Sequence, residues 1–326
     1  MAIVTNTYTR FDAKGIREDL SNVIYQISPE ETPFMSNVGR ENVKNTFFEW
    51  QTDDLASAST TNAQIEGDDI TSFTAATATV RVGNYTQISR KDVILSGTLE
   101  TVDKAGRRSE LSYQLAKRSA EIKRDMETTC LANQAATAGS TSAARKTGGM
   151  LAFLTTNTSK GTGGGDPSYT TAPDAARTDA TTTNLRSFSE TLLKDVIQKV
   201  WTQGGNPKVV MAGPVNKQNL SKMTGIANAR YSVNTGSKPA TLIGAADIYV
   251  SDFGQVTIIP NRFQRDRDVY VLDPEYAAIA YLRPFQTIEL AKTGDAEKRM
   301  LLVEWGLKVN QEKSHGLVAD LNTTLQ

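Results

Sequence analysis

The clearest pattern in the chain lies near its end, where Leu301, Val303, Trp305, Leu307 and Val309 alternate with Leu302, Glu304, Gly306, Lys308 and Asn310. A period of two puts successive side chains on opposite faces, so this segment reads as a long, half-buried strand. A different period governs residues 98–136. There Leu111, Leu115, Ile122 and Met126 recur at spacings of four, seven and four, which aligns them on one stripe of a helix. Lys117 and Arg124 fall opposite that stripe. Some 25 to 35 helical residues would make a rod of roughly 40 to 50 Å. Gly106 is a place for its start to break or kink. One apolar stripe on so long a rod suits a helix laid across a sheet.

Two strand patterns precede the rod. Thr46-Phe47-Phe48-Glu49-Trp50 is aromatic, and residues 77–88 mix Val80, Val82, Tyr85 and Ile88 with polar positions. The polar run between them predicts a hairpin with an extended tip, and a loop of that length inside a compact domain is uncommon unless it has a task. The first 40 residues have no sustained periodicity beyond a short helical candidate, Gly15 to Ile27. They are expected to form an extended arm with little core of its own.

Residues 155–184 are thick with Thr, Gly, Ser and Ala and read as a flexible loop or domain connection. Beyond them helices and strands alternate. Ser187-Phe188-Ser189-Glu190 has the form of a capping box, with Ser187 as N-cap. It opens a helix whose broad apolar face takes in Phe188, Leu192, Leu193, Val196, Ile197, Val200 and Trp201 and which stops at Gly204-Gly205. Val209-Val210-Met211 reads as a buried strand, and Gly213-Pro214 opens another helix with proline at its first position. Residues 247–253 and 256–259 are expected to pair as strands turning at Gly254. The part from about 146 to 285 thus reads as inserted between two halves of a first domain.

With 326 residues the chain exceeds the usual single-core limit, so two domains are expected. No apolar run approaches the roughly 20 residues of a membrane helix, and no signal-peptide pattern is present. The single cysteine, Cys130, excludes a disulfide framework within the chain and fits a reducing cytoplasm. Lys and Arg number 36 against 36 Asp and Glu. A protein that grips nucleic acid by its phosphates normally carries a basic excess, so the balance argues against a DNA-binding module, though not against a container for DNA.

Catalytic motifs are scarce. The chain has no Gly-x-Ser-x-Gly, His-Glu-x-x-His or Cys-x-x-Cys. Gly161 to Asp166 is glycine-rich but lacks the lysine and the preceding strand a phosphate loop requires. His315 is the only histidine, which rules out a typical zinc site, and Cys130 sits in the helical segment where an inert thiol is the rule. Neither cofactor nor catalytic residue is expected. An all-carboxylate Mg²⁺ site at Asp53, Asp54, Asp68 and Asp69 is the weaker reading of the tip. From Gln51 to Val80 there are five acids (Asp53, Asp54, Glu66, Asp68, Asp69) and no lysine or arginine. Solubility is the plain explanation. The sharper one is that the tip meets basic side chains of a neighbouring copy, with Arg107, Arg108, Lys117 and Arg124 on the long helix as candidates.

Several stretches resemble a known family. Gly83-Asn84-Tyr85-Thr86-Gln87-Ile88, Ser96-Gly97-Thr98 and Gly106-Arg107-Arg108-Ser109-Glu110-Leu111 run into Lys123-Arg124-Asp125-Met126-Glu127. Leu272-Asp273-Pro274, Leu282-Arg283-Pro284, Leu290-Ala291-Lys292-Thr293-Gly294-Asp295 and Glu304-Trp305-Gly306-Leu307 follow near the other end. These are similar to the SU-ten-like major capsid proteins of tailed bacteriophages, over most of residues 15–322. The resemblance implies an α+β fold of the Hong Kong 97 type. Residues 1–45 would be the N-arm and 46–90 the E-loop with its strands. Residues 91–145 and 286–326 would make the peripheral domain with the long spine helix, and 146–285 the axial domain. It implies no enzymatic activity, but self-assembly as hexamers and pentamers into an icosahedral head in the host cytoplasm. The head would enclose double-stranded DNA without sequence-specific binding and involve no membrane. Portal and cement proteins would be further partners. An arm too short for a fused scaffold points to a separate scaffolding protein or none. Some relatives weld neighbouring subunits through an E-loop lysine, but no lysine lies between Lys44 and Lys91, so no weld is expected at the tip. Two other readings share parts of the pattern: an encapsulin-like compartment, and a soluble α/β enzyme with a ligand site near Gly161 to Asp166.

Overall fold

A computed structural model describes residues 30–67, 69, 73, 75–223 and 247–324. The expected helix at Gly15 to Ile27 lies outside the described residues.

The chain enters through helix α1 (Pro33–Asn37), with proline in its first turn, and strand β1 (Gly39–Asn42). The expectation of an arm without a core fails here. Phe34 and Met35 are buried in the main core, and their amides donate to the Glu127 carboxylate at 2.7 and 2.9 Å. Asn261 Nδ2 donates to the same carboxylate at 2.6 Å. Burial pushes the Glu127 pKa up in spite of those donors. One buried acid therefore joins the entering chain, the long helix and the 261 loop.

Strands β2 (Phe47–Thr52) and β3 (Val80–Tyr85) form the expected hairpin, in register from Phe47 opposite Tyr85 to Thr52 opposite Val80. After Thr86 a further strand, β4 (Gln87–Ser96), follows, which the sequence pattern did not indicate. The rod is interrupted. Helix α2 (Gly97–Thr101) is separated from α3 (Glu110–Leu131) by residues in which Gly106 takes φ +78°. Ser109 caps α3, accepting from Ser112 N. With 22 residues α3 is about 33 Å long, shorter than expected. Ile122 and Met126 of its stripe are buried, while Leu111 and Leu115 are only partly covered.

Helix α4 (Met150–Phe153) and strand β5 (Thr158–Ser159) open the later part. Helix α5 (Glu190–Thr202) begins three residues after the expected N-cap. Ser189 occupies that position without a side-chain bond, so the capping box does not form. The reason is long-range. Arg186 is held extended by Arg186 N to Asp320 O and Asn322 N to Arg186 O, both 2.8 Å. Glu190 is engaged instead by Lys194 and by the Tyr249 hydroxyl. Strand β6 (Val209–Ala212) and helix α6 (Pro214–Ser221) follow as the sequence indicates. Strands β7 (Ile248–Ser251) and β8 (Gly254–Pro260) pair about Gly254, whose φ of +134° suits glycine. Strands β9 (Val269–Leu272), β10 (Ala277–Glu289), β11 (Ala296–Val309) and β12 (Gly316–Val318) complete the chain.

Two main sheets result. One has the order β1-β10-β11-β4, with α3 across one face; the other runs β5-β12-β9-β6-β8-β7. Strand β10 begins at Ala277, inside the proposed insertion, yet lies in the first sheet, and β12, beyond the insertion, lies in the second. One apolar core, including Phe34, Met126, Phe153, Tyr270, Trp305 and Leu317, spans both, and a second, including Leu193, Val196, Ile197, Leu220 and Ile258, packs α5 and α6 on the second sheet.

Strand β11 departs from expectation in an instructive way. Residues 301–307 are buried on both faces. The inward face holds Trp305, whose Nε1 donates to Ser89 Oγ at 3.0 Å. The other face is covered by the hairpin base: a Cβ at Gly306 would sit 2.7 Å from Phe48 Cε1 and 3.0 Å from Tyr85 O. Glycine is what allows that approach. Next to it, buried Asn84 donates to Leu307 O at 2.7 Å, and Leu307 N donates to Thr147 Oγ1 at 3.1 Å. Strand β4 begins only opposite Trp305, so these two side chains take up the backbone groups of β11 beyond it.

Candidate assembly surfaces

The hairpin that is locked at its base is bare at its tip. Every described residue from 53 to 79 is exposed. Three of them are large and apolar: Leu55 is 99 % exposed, Ile65 81 % and Phe73 87 %. A single exposed leucine is ordinary, but three such residues on a segment with no core of its own mark an unfilled contact. The run is polar overall in sequence, which hides them. The available signal was lone apolar residues inside a long run without basic charge.

The five tip acids are not equivalent. Asp53, Glu66 and Asp69 are exposed, and Asp68 lies outside the described residues. Asp54 is tied to its own subunit: Lys313 Nζ lies 2.6 Å from Oδ2, and Gln311 Nε2 donates to Oδ1 at 3.4 Å. That pair fixes the root of the tip against the turn before β12, and it removes Asp54 from the free acids. Among the described residues no group of three or more His, Cys, Asp or Glu side chains is placed to hold a metal.

The basic candidates divide in the same way. Arg107 pairs with buried Glu110 and lies over the Tyr113 ring, its guanidinium carbon 5.5 Å from the centroid. Arg124 lies over Phe263 at 5.9 Å, within its own subunit. Arg108 and Lys117 are exposed and make no ion pair with a described carboxylate. Within one chain the structure brings none of the described tip acids to these four side chains.

The residues weighed for chemistry are structural. Cys130 is fully buried, and burial with the nearby Glu127 charge holds its thiol well above the usual range. His315 is buried, its Nδ1 accepting from Asp273 N at 3.3 Å, and burial lowers its pKa to about 4. The glycine run near Gly161 is not a phosphate cradle. Gly161 N donates to Asp320 Oδ2 at 3.0 Å, and Asp166 is taken by Lys160 and by buried Arg177, each at 2.6 Å. Asp320 also accepts from Ala180 N at 2.9 Å. The segment expected to be a flexible connector is thus pinned at both ends to the close of the chain.

A bare-tipped hairpin, a long helix across a four-stranded sheet and a second sheet sharing its core define a shell-forming protein of the Hong Kong 97-type capsid fold. Solved structures agree in fold. The capsid asymmetric unit of cyanophage A-1(L) superposes with a TM-score of 0.64 at 11% identity, over 94% of this chain and 97% of that one. The SrpI encapsulin complex of Synechococcus elongatus PCC 7942 gives 0.53 at 11% identity, over 97% and 96%. The chain belongs to the SU10 major capsid protein family, whose model matches residues 3–322, and its function is that of a tailed phage's major capsid protein. The major capsid protein of Escherichia phage Phieco32 is 30% identical over 343 residues, covering 95% of this chain and 96% of that relative. Both names describe a structural protein. No helix among the described residues is long and apolar enough to cross a membrane.

Proposed function

We propose that copies of this chain close as hexamers and pentamers into an icosahedral head around double-stranded DNA, each hairpin tip seated on a neighbouring subunit. The observation that carries this reading is the tip itself: beyond the Asp54 anchor, its described residues from 55 to 78 are exposed and pack on no core, so their ordering entropy is repaid against another copy. Weak contacts of this kind are sufficient, because closure is multivalent, and they let misplaced subunits leave. The part around the β5–β7 sheet would be the axial domain and the sheet carrying α3 the peripheral domain. Of the four basic side chains expected on the long helix, Arg107 and Arg108 precede its cap at Ser109, and Lys117 and Arg124 lie on it. The neutral chain would enclose DNA without a sequence-specific grip, and assembly in the host cytoplasm with scaffolding, portal and cement proteins fits the same role.

The test is charge reversal at the tip. Asp68→Lys plus Asp69→Lys should leave the subunit folded by circular dichroism and cut the yield of closed shells by tenfold or more in negative-stain micrographs. Normal shells from that variant would overturn the reading. Native particles filled with protein and free of DNA would instead favour a cargo compartment like the encapsulin whose fold is shared.

A further inference from the structure

A cavity of about 500 Å³ opens between the entering chain, α3 and β10. Met35, Tyr281, Pro284 and Phe285 give it an apolar wall, and Arg40 and Lys123 supply two cations. Both cations are exposed and neither pairs with a described carboxylate, whereas their neighbours Lys91, Arg118 and Lys308 are all paired, with Asp125, Glu121 and Glu41. A site of this make accepts a segment that brings an apolar side chain and an acid together.

The chain carries such a segment. Gly67 turns at φ +82°, and Ile65 and Glu66 just before it are exposed, as is Asp69. From Asp53 to Glu66 an extended chain reaches up to about 40 Å, enough to cross a neighbouring subunit. We propose that this cavity is the socket for the hairpin tip of a second copy. Ile65 enters against Tyr281 and Phe285, and Glu66 and Asp69 pair with Arg40 and Lys123. This rests on the reading that the tip seats on a neighbour, and it names where. The chain's own first 29 residues match the socket less well in charge, carrying three bases (Arg10, Lys14, Arg17) against three acids (Asp12, Glu18, Asp19).

Disulfide trapping tests it, with buried Cys130 giving no background. Ser36 lines the cavity, so shells of the full chain carrying Ser36→Cys and Ile65→Cys should give a ladder of linked dimers and higher oligomers on a non-reducing gel after oxidation. Each single variant should not. A ladder from Lys117→Cys with Ile65→Cys, and none from Ser36→Cys, would overturn the socket while leaving the seated tip intact. No ladder from either pair in closed shells would remove both. Charge exchange gives a second measure: Arg40→Glu plus Lys123→Glu should lower shell yield at least tenfold, and adding Glu66→Lys and Asp69→Lys should restore it. Failure to restore also overturns the socket. So does a variant that closes normally but packages less DNA, which would make the cavity a nucleic-acid contact.

Discussion

The base and the tip of the β2–β3 hairpin are parts of one structural unit held by opposite means. At the base, Phe48 and Asn84 are committed to β11: a Cβ at Gly306 would lie 2.7 Å from Phe48 Cε1, and Asn84 Nδ2 donates to Leu307 O as well as to Thr147 and Gly148. At the tip, Leu55, Ile65 and Phe73 stand in solvent. The base is stabilised by its own subunit and rigid, while the tip is costly to order and waits for a partner. A hairpin anchored at one end and unsatisfied at the other can be aimed before assembly and seated during it.

That comparison is tested first at its base, where the largest effect is expected. Phe48→Ala removes the buried ring that the hairpin base lays over Gly306. Truncations of this size cost about 3–5 kcal/mol, and here the loss should fall on the isolated subunit. Chemical denaturation of that subunit measures it. A loss below 1 kcal/mol would mean that the hairpin base is not held by the core it covers.

A smaller effect concerns acid. His315, beside β12 and the turn that anchors Asp54, is held neutral by burial, its pKa lowered from 6.5 to about 4. The unfolded chain binds that proton first as pH falls from 6.5 towards 4, so stability is full above that window and lost within it. The loss between pH 7 and pH 4.5 is roughly 2 kcal/mol. Asp268 acts in the opposite sense. Burial raises its pKa to about 6, chiefly against the opposing pull of Arg265, so its burden is greatest above pH 6 and is relieved on acidification. His315→Gln should therefore flatten the acid loss seen in melting curves at the two pH values, and Asp268→Asn should steepen it. An unchanged slope in His315→Gln would show that the imidazole does not titrate there.

What the sequence disclosed follows the same division between local and distant causes. The inward face of β11, the Ile122–Met126 end of the rod, the start of α6 at Gly213-Pro214 and the turn at Gly254 were legible, because each is set by residues within a few positions. Strand β10 was not, since bulges near Tyr281, Arg283 and Gln286 break its alternation. Strand β4 was hidden as well. Its open face carries Ile88, Arg90, Asp92 and Ile94, a mixture that only pairing with β11 makes a strand. The second burial of β11 depends on a hairpin more than 200 residues earlier. At the candidate surface, the acids could be counted in the sequence, but the pairing of Asp54 with Lys313, 259 residues apart, could not.

The smallest expected effect is at the tip, and there it must be small for the comparison to hold. Leu55 and Phe73 bury almost nothing in the subunit, so Leu55→Ser with Phe73→Ser removes no intramolecular contact. Substitutions at such positions change stability by about 0.5 kcal/mol or less. The unfolding midpoint of the isolated subunit should thus stay in place, while the protein concentration needed to form shells rises. Light scattering against concentration reads the second quantity and denaturation the first. If the isolated subunit lost more than about 1 kcal/mol, the tip would have to possess a packing surface of its own, and the contrast between anchored base and unsatisfied tip would collapse.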